Sequence, residues 1–157
     1  TLDGSSAASD VYKRQEAYAT WKDKIEKSPD LMFVKILERF RSGADVLASD
    51  FIGAWDKLMD LRQQYHSAVR AFDAILIPTS PIIPPEKARL MDDGDFYNSQ
   101  NLLALRSTRI GNLMGGCSIT LPTDIPSCGI LIMGRPNEEE RLLRLAQACE
   151  LVLAKNQ

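Results

Sequence analysis

Phe72-Asp73-Ala74-Ile75-Leu76-Ile77-Pro78-Thr79-Ser80-Pro81 decides how the chain is read. Ala74-Ile75-Leu76-Ile77 is a continuous apolar run closed by a proline, too short for a helix and uniform enough for a strand buried on both faces. Strands of that kind belong to α/β sheets. The prolines at 78 and 81, with Pro84 and Pro85 beyond them, cannot continue a ladder, so the chain leaves the sheet through a stiffened loop.

Upstream of this run lies the strongest helical pattern. Phe51, Trp55, Leu58, Leu61, Tyr65, Ala68, Val69 and Phe72 recur at three- and four-residue steps, with Asp50 as the cap and an end expected near Ala71. Two shorter helices precede it. One spans Glu16–Lys27 on Tyr18, Trp21 and Ile25. The other carries Leu31, Val34, Ile36, Leu37 and Phe40, with Ser28 as its cap, Pro29 at its first position and an end near Gly43.

Downstream, Phe96 to Met114 is partly helical and loosens at Gly115 and Gly116. Ser118–Leu121 and Cys128–Met133 form two short strands separated by Pro122 and Pro126. Asn137 is expected to cap a last helix. Its Glu138, Glu139 and Glu140 meet the positive end of the dipole, and Leu142, Leu143, Ala146, Cys149 and Val152 supply the inward stripe.

Composition bounds the function. The chain has 157 residues, 45% hydrophobic and 25% charged, which is globular rather than disordered or fibrous. A net charge of -2 supplies no field for phosphates or anionic lipid, so neither nucleic acid nor membrane is expected as a partner. No apolar run reaches the ~18 residues that span a bilayer. Cys117, Cys128 and Cys149 form neither a CxxC site nor an even disulfide set, which points to reduced thiols in a cytoplasm.

The order of the segments carries a resemblance. Phe72 to Pro81, then Thr108 and Asn112 ahead of a glycine pair, then Ser118-Ile119-Thr120-Leu121-Pro122, then Pro126 to Gly134 and a terminal helix together resemble the C-terminal part of amidase signature hydrolases. These include free amidases and the A subunit of glutamyl-tRNA amidotransferases. The likeness runs from about Glu16 to the end. It departs at Gly115-Gly116-Cys117, where many members have Gly-Leu-Pro, and at Gly129-Ile130-Leu131, where many have Gly-Leu-Gln.

The resemblance implies an α/β domain, a partial amidase-signature fold of short mixed-sheet strands covered by amphipathic helices. It further implies a small-molecule amide substrate and a Ser, cis-Ser, Lys triad in which a neutral lysine draws the serine's proton through the second serine. No cofactor or metal is called for. All three triad residues precede the matched part, so catalytic residues are expected to be absent and the segment alone inactive. Pro78, Thr79, Ser80, Asn112, Gly116 and Cys117 are the expected pocket-wall residues.

The start of the chain is read separately. Asp10-Val11-Tyr12-Lys13-Arg14-Gln15 resembles a translated transposase mosaic-end adaptor from a metagenomic library, so residues 1–15 are expected to be a disordered or artefactual lead-in and 16–157 the C-terminal part of an amidase domain. Thr1 in place of Met agrees with a piece of a longer chain. Gly4 to Ser9 is similar to the Gly-Ser-Ser-Gly-Gly-Ser element that carries the cis-serine, but reads better as a loose terminus.

Other groups have plain readings. His66, the sole histidine, is a packed or surface imidazole beside the apolar stripe. A small hydrolase built on Ser80 and His66 would need the two within hydrogen-bond reach. Lys22, Lys24 and Lys27 are interrupted by Asp23 and Glu26 and form a solvated face, while Gly111, Gly115 and Gly116 do not make a phosphate loop. The alternative for the whole chain is a stand-alone, non-enzymatic α/β interaction module. Loss of neighbouring strands would leave edges prone to self-association.

Overall fold

The computed structural model describes residues 3–154, with side chains from Lys13 onward. The chain forms two compact units, Thr1–Gln64 and Tyr65–Gln157.

The first unit opens with α1 (Asp3–Lys27). The stretch expected as a disordered or artefactual lead-in is helical from Asp3 onward, and the helix runs without a break through Gln15 and Glu16. From Ser5 to Lys27 there is no Pro or Gly, and Ala7, Ala8, Ala17 and Ala19 favour the helix over the locally bonding Ser and Asp. Thr1 and Leu2 lie outside the described residues. Gln15 Nε2 donates to the Val46 carbonyl at 3.4 Å, which ties the stretch before Glu16 to the loop beyond α2.

The second expected helix is divided. Pro29–Leu31 is a single 3-10 turn, Met32 and Phe33 take extended backbone, and α2 covers Val34–Arg41. Ser28 makes no capping bond. Leu37 is the buried anchor of α2. Arg41 Nε and Nη2 donate to the two carboxylate oxygens of Glu26 at 2.9 and 2.6 Å, a two-point clasp from α2 to α1. The long helix α3 spans Ala48–Val69 and buries Ala54 and Leu58. It starts before Asp50, which sits in the first turn where its charge favours the dipole rather than at the cap.

The second unit holds the sheet. Strands β1 (Ile75–Pro78), β2 (Ser118–Pro122) and β3 (Gly129–Met133) lie in the order β1-β3-β2, and both pairings are antiparallel. The fold class is α/β: α4 (Lys87–Asp92), α5 (Gly94–Ala104) and α6 (Arg106–Met114) fall between β1 and β2, and α7 (Glu139–Ala154) follows β3.

Ile132, in the central strand, is 1% exposed and packs with Leu121, Leu142 and Ala146 as the core. Burial of such an aliphatic side chain contributes about 1.5–3 kcal/mol.

Three expectations for this unit are corrected. The run at 74–77 is not buried on both faces: β1 is an edge strand and Leu76 is 62% exposed, because a period of two turns it away from the single packed face. The helical stretch from Phe96 to Met114 is broken at Leu105, and its first part starts at Gly94 with Asp93 accepting from the Phe96 amide at 2.9 Å. Asn137 does not cap α7. It takes a left-handed φ of 59° in the turn before it, a conformation asparagine tolerates better than most side chains.

Candidate functional site

The six expected pocket-wall residues fall into two groups at opposite ends of the sheet. Along β3, from Gly129 to Met133, those ends stand about 13 Å apart at ~3.3 Å per residue.

At one end β1 runs into the proline loop. Pro78 pairs with Ile130, and the Thr79 amide continues the ladder by donating to the Gly129 carbonyl at 2.9 Å. Thr79 Oγ1 then donates to Thr120 Oγ1 at 3.3 Å, linking the two outer strands across the central one. Gly129 makes this possible. A Cβ there would stand 2.9 Å from Thr79 Oγ1 and 3.0 Å from Thr120 Cγ2. Ser80 turns inward on its own loop: its hydroxyl donates to the Ile82 carbonyl at 3.1 Å and accepts from the Ile82 amide at 3.4 Å.

At the other end Gly115 closes α6 with a φ of 71°, the left-handed turn that releases a helix. Gly116 passes so close to the β3 exit that a Cβ would lie 2.5 Å from the Gly134 carbonyl oxygen. The Gly134 amide donates to the Cys117 carbonyl at 2.9 Å, and Cys117 Sγ donates to the Arg135 carbonyl at 3.1 Å. The thiol is thus a packed contact of the β2–β3 layer. Asn112 is exposed on α6, one residue past the buried Gly111.

A small cleft opens beside this second end, where Tyr65, His66, Asp73 and Arg135 ring walls of Val69, Ile75 and Met133. Its volume of about 10 Å³ is room for a single water. His66 Nε2 lies 3.1 Å from the Met114 carbonyl oxygen, which can only accept, so this nitrogen carries the proton. Burial pushes the Tyr65 hydroxyl above its ordinary pKa. Arg135 Nη2 donates to the Arg70 and Phe72 carbonyls at 2.8 and 3.3 Å, a cation placed at the negative end of α3. Arg141 bridges Asp73 and Glu138.

The Ser80 hydroxyl and His66 Nε2 are each hydrogen-bonded elsewhere, to the Ile82 carbonyl and the Met114 carbonyl. Among the described residues no group of three or more His, Cys, Asp or Glu is arranged to hold a metal, and no helix is long and apolar enough to cross a membrane. Thr120, Gly129, Arg135 and Arg141 were not among the expected site residues. The Thr79–Thr120 and Arg135–Arg70 contacts join positions 41 and 65 residues apart, and no local pattern encodes them.

The fold is that of part of an amidase. A solved amidase structure superposes with a TM-score of 0.74 at 20% identity, covering 97% of this chain and 36% of that one. In sequence the chain is similar to the 2-amino-5-chloromuconic acid deaminase of Comamonas testosteroni, 33% identical over 94 residues that cover 56% of this chain and 20% of that protein. No family model matches. The chain therefore spans about a third of the solved amidase and a fifth of the curated relative.

Proposed function

We propose that this chain is the C-terminal segment of a larger hydrolase of amidase signature type, which breaks a carbon–nitrogen bond through a Ser, cis-Ser, Lys triad supplied by residues outside it. The observation that carries this reading is the near-complete superposition of the chain on a minor part of a solved amidase. The similarity to a deaminase supports it, because loss of an amino group and hydrolysis of an amide both break a bond to nitrogen.

In such an enzyme a lysine kept neutral by desolvation or cationic neighbours accepts the nucleophile's proton through the bridging serine. Backbone amides hold the oxyanion, the amine leaves, and water releases the acid. None of these steps falls to the residues described above. This segment contributes a wall.

Of the two ends of the sheet, the one with Pro78, Thr79 and Ser80 is the better wall. It is carried on a loop stiffened by prolines at the exit of a strand, whereas Gly116 and Cys117 pack against Gly134 and Arg135. The intact protein acts on a small amide in the cytoplasm without nucleic acid or membrane as partner.

A fluorophosphonate probe that acylates activated serines tests the assignment. The 157-residue chain is expected to stay unlabelled, and the protein read from the continuous upstream frame is expected to label at a serine outside residues 1–157. Labelling of the short chain, abolished by substituting one of its own serines, would overturn it.

A further inference from the structure

We infer that the intact enzyme selects uncharged amides that carry a second, neutral oxygen acceptor, and that Thr120 is the residue that reads this acceptor. This rests on the reading above, in which the Pro78–Ser80 end of the sheet faces the pocket, and adds to it the class of substrate.

Of the three hydroxyls from Thr79, Ser80 and Thr120 at that end, two have spent their protons. Ser80 donates to the Ile82 carbonyl and accepts from the Ile82 amide, while Thr79 Oγ1 donates to Thr120 Oγ1 at 3.3 Å. A hydroxyl has one proton to give, so a pair of them leaves one O–H over. Here it belongs to Thr120, an exposed residue of β2. Ser118, two residues earlier and so on the same face of the strand, lies under α6, where a Cβ on Gly111 would stand 3.6 Å from its Oγ. The spare donor thus sits on the α6 side of the sheet, beyond the part that Gly111 covers.

The charges around this donor decide what it can bind. Residues 74–85 and 110–134, which supply the three strands and the turns at this end, contain no Lys, Arg or His and a single acid, Asp124, in the β2–β3 turn. The cations that flank these stretches are engaged or aimed elsewhere. Arg135 is bonded to the Arg70 and Phe72 carbonyls at the opposite end, Arg89 stacks over the Phe96 ring at 3.9 Å, and Lys87 stands next to Glu86. Ser107 and Gly111 are buried on α6, and Arg106 and Arg109 point roughly 100° or more away from them on the helical wheel. A carboxylate set against this wall would give up its hydration to neutral hydroxyls and meet the charge of Asp124, whereas a carbonyl oxygen gains the Thr120 hydrogen bond. An apolar chain in the same place leaves that O–H unpaired once water is excluded.

Kinetics of the protein read from the continuous upstream frame test the selection with three probes of one shape: diamides of three- to five-carbon dicarboxylic acids, the monoamides that keep a free carboxylate, and alkanamides with an isopropyl group in place of the second amide. The diamides are expected to exceed the carboxylates of equal length at least about tenfold in kcat/KM. Thr120→Val keeps the shape and the strand preference but has no O–H; it is expected to cost the diamides about tenfold, mostly in KM, and the isopropyl amides nothing, and Thr120→Ser is expected to restore the diamides. Carboxylates turned over as well as diamides would overturn the selection, as would diamide turnover indifferent to Thr120→Val, a loss shared by the isopropyl amides, or turnover of none of the three by a protein that takes the fluorophosphonate label. Without that label the amidase reading itself fails, and the selection with it.

Discussion

The hydroxyls of Thr79 and Thr120 meet at 3.3 Å across the central strand, over the one position, Gly129, that has no side chain to keep them apart. Two outer strands that share no ladder are thereby tied at the end of the sheet where the proline loop departs.

Gly129→Ala tests this arrangement. The new methyl would stand about 3 Å from both threonines and 3.3 Å from the Leu121 carbonyl oxygen, so the hydroxyl pair has to part. Thermal melts should show a loss of about 1–3 kcal/mol. Thr79→Ala in the same background should recover part of it, because one of the obstructing atoms is then gone.

The two glycines around Gly115 should behave oppositely on substitution. A methyl at Gly111 finds its nearest neighbours at 3.6 and 3.7 Å, ordinary contact, so Gly111→Ala should gain up to about 1 kcal/mol from helix propensity. At Gly116 the obstacle is the Gly134 backbone, which cannot rotate away, and Gly116→Ala should cost about 1–3 kcal/mol. Denaturant midpoints of the pair settle the contrast.

Arg135→Ala removes the two hydrogen bonds that Nη2 donates to the Arg70 and Phe72 carbonyls just past α3 and should lower stability by about 1 kcal/mol. Arg135→Lys, with a point charge in place of a fork, should restore only part of this, read from the same melts.

The Glu26–Arg41 clasp predicts a pH dependence. The hydrogen bonds from Arg41 hold the Glu26 carboxyl below its ordinary pKa of 4.5; desolvation opposes them, and the Arg41 charge and a Tyr18 hydrogen bond add to them. A depressed folded value means the stabilisation is present above pH 4.5 and is lost as the pH falls through the lower folded value. Melting temperatures of wild type and Glu26→Gln should therefore differ at neutral pH and converge in acid. High salt should shrink the difference, since the pair is exposed.

How far the fold was legible depends on the kind of signal. The long α3, the three strands and α7 were read from periodicity and proline placement within a few residues, because local pattern dictates them. The six-residue α4 has too few turns to show a period, and the start of α1 is masked in sequence by small polar residues although no Pro or Gly stands between Ser5 and Lys27. The double burial expected of 74–77 failed because sequence shows that a residue is apolar, not whether a neighbouring layer is there to cover it; Leu76 has none on its side.

The candidate site was less legible for a related reason. The prolines mark the exit of a strand at Pro78, but strand order is set by pairing between distant segments. Only the register of β1 and β2 on β3 shows Gly116 and Cys117 at the other end and Thr120 beside Thr79.

The most direct test of the central claim is fluorophosphonate labelling of two purified proteins side by side, the 157-residue chain and the product of its continuous upstream reading frame. Labelling of the longer protein alone, at a serine outside residues 1–157 and lost with that serine, is the predicted result. Labelling of the short chain at one of its own serines, or an upstream frame without the lysine and the two serines, would contradict it.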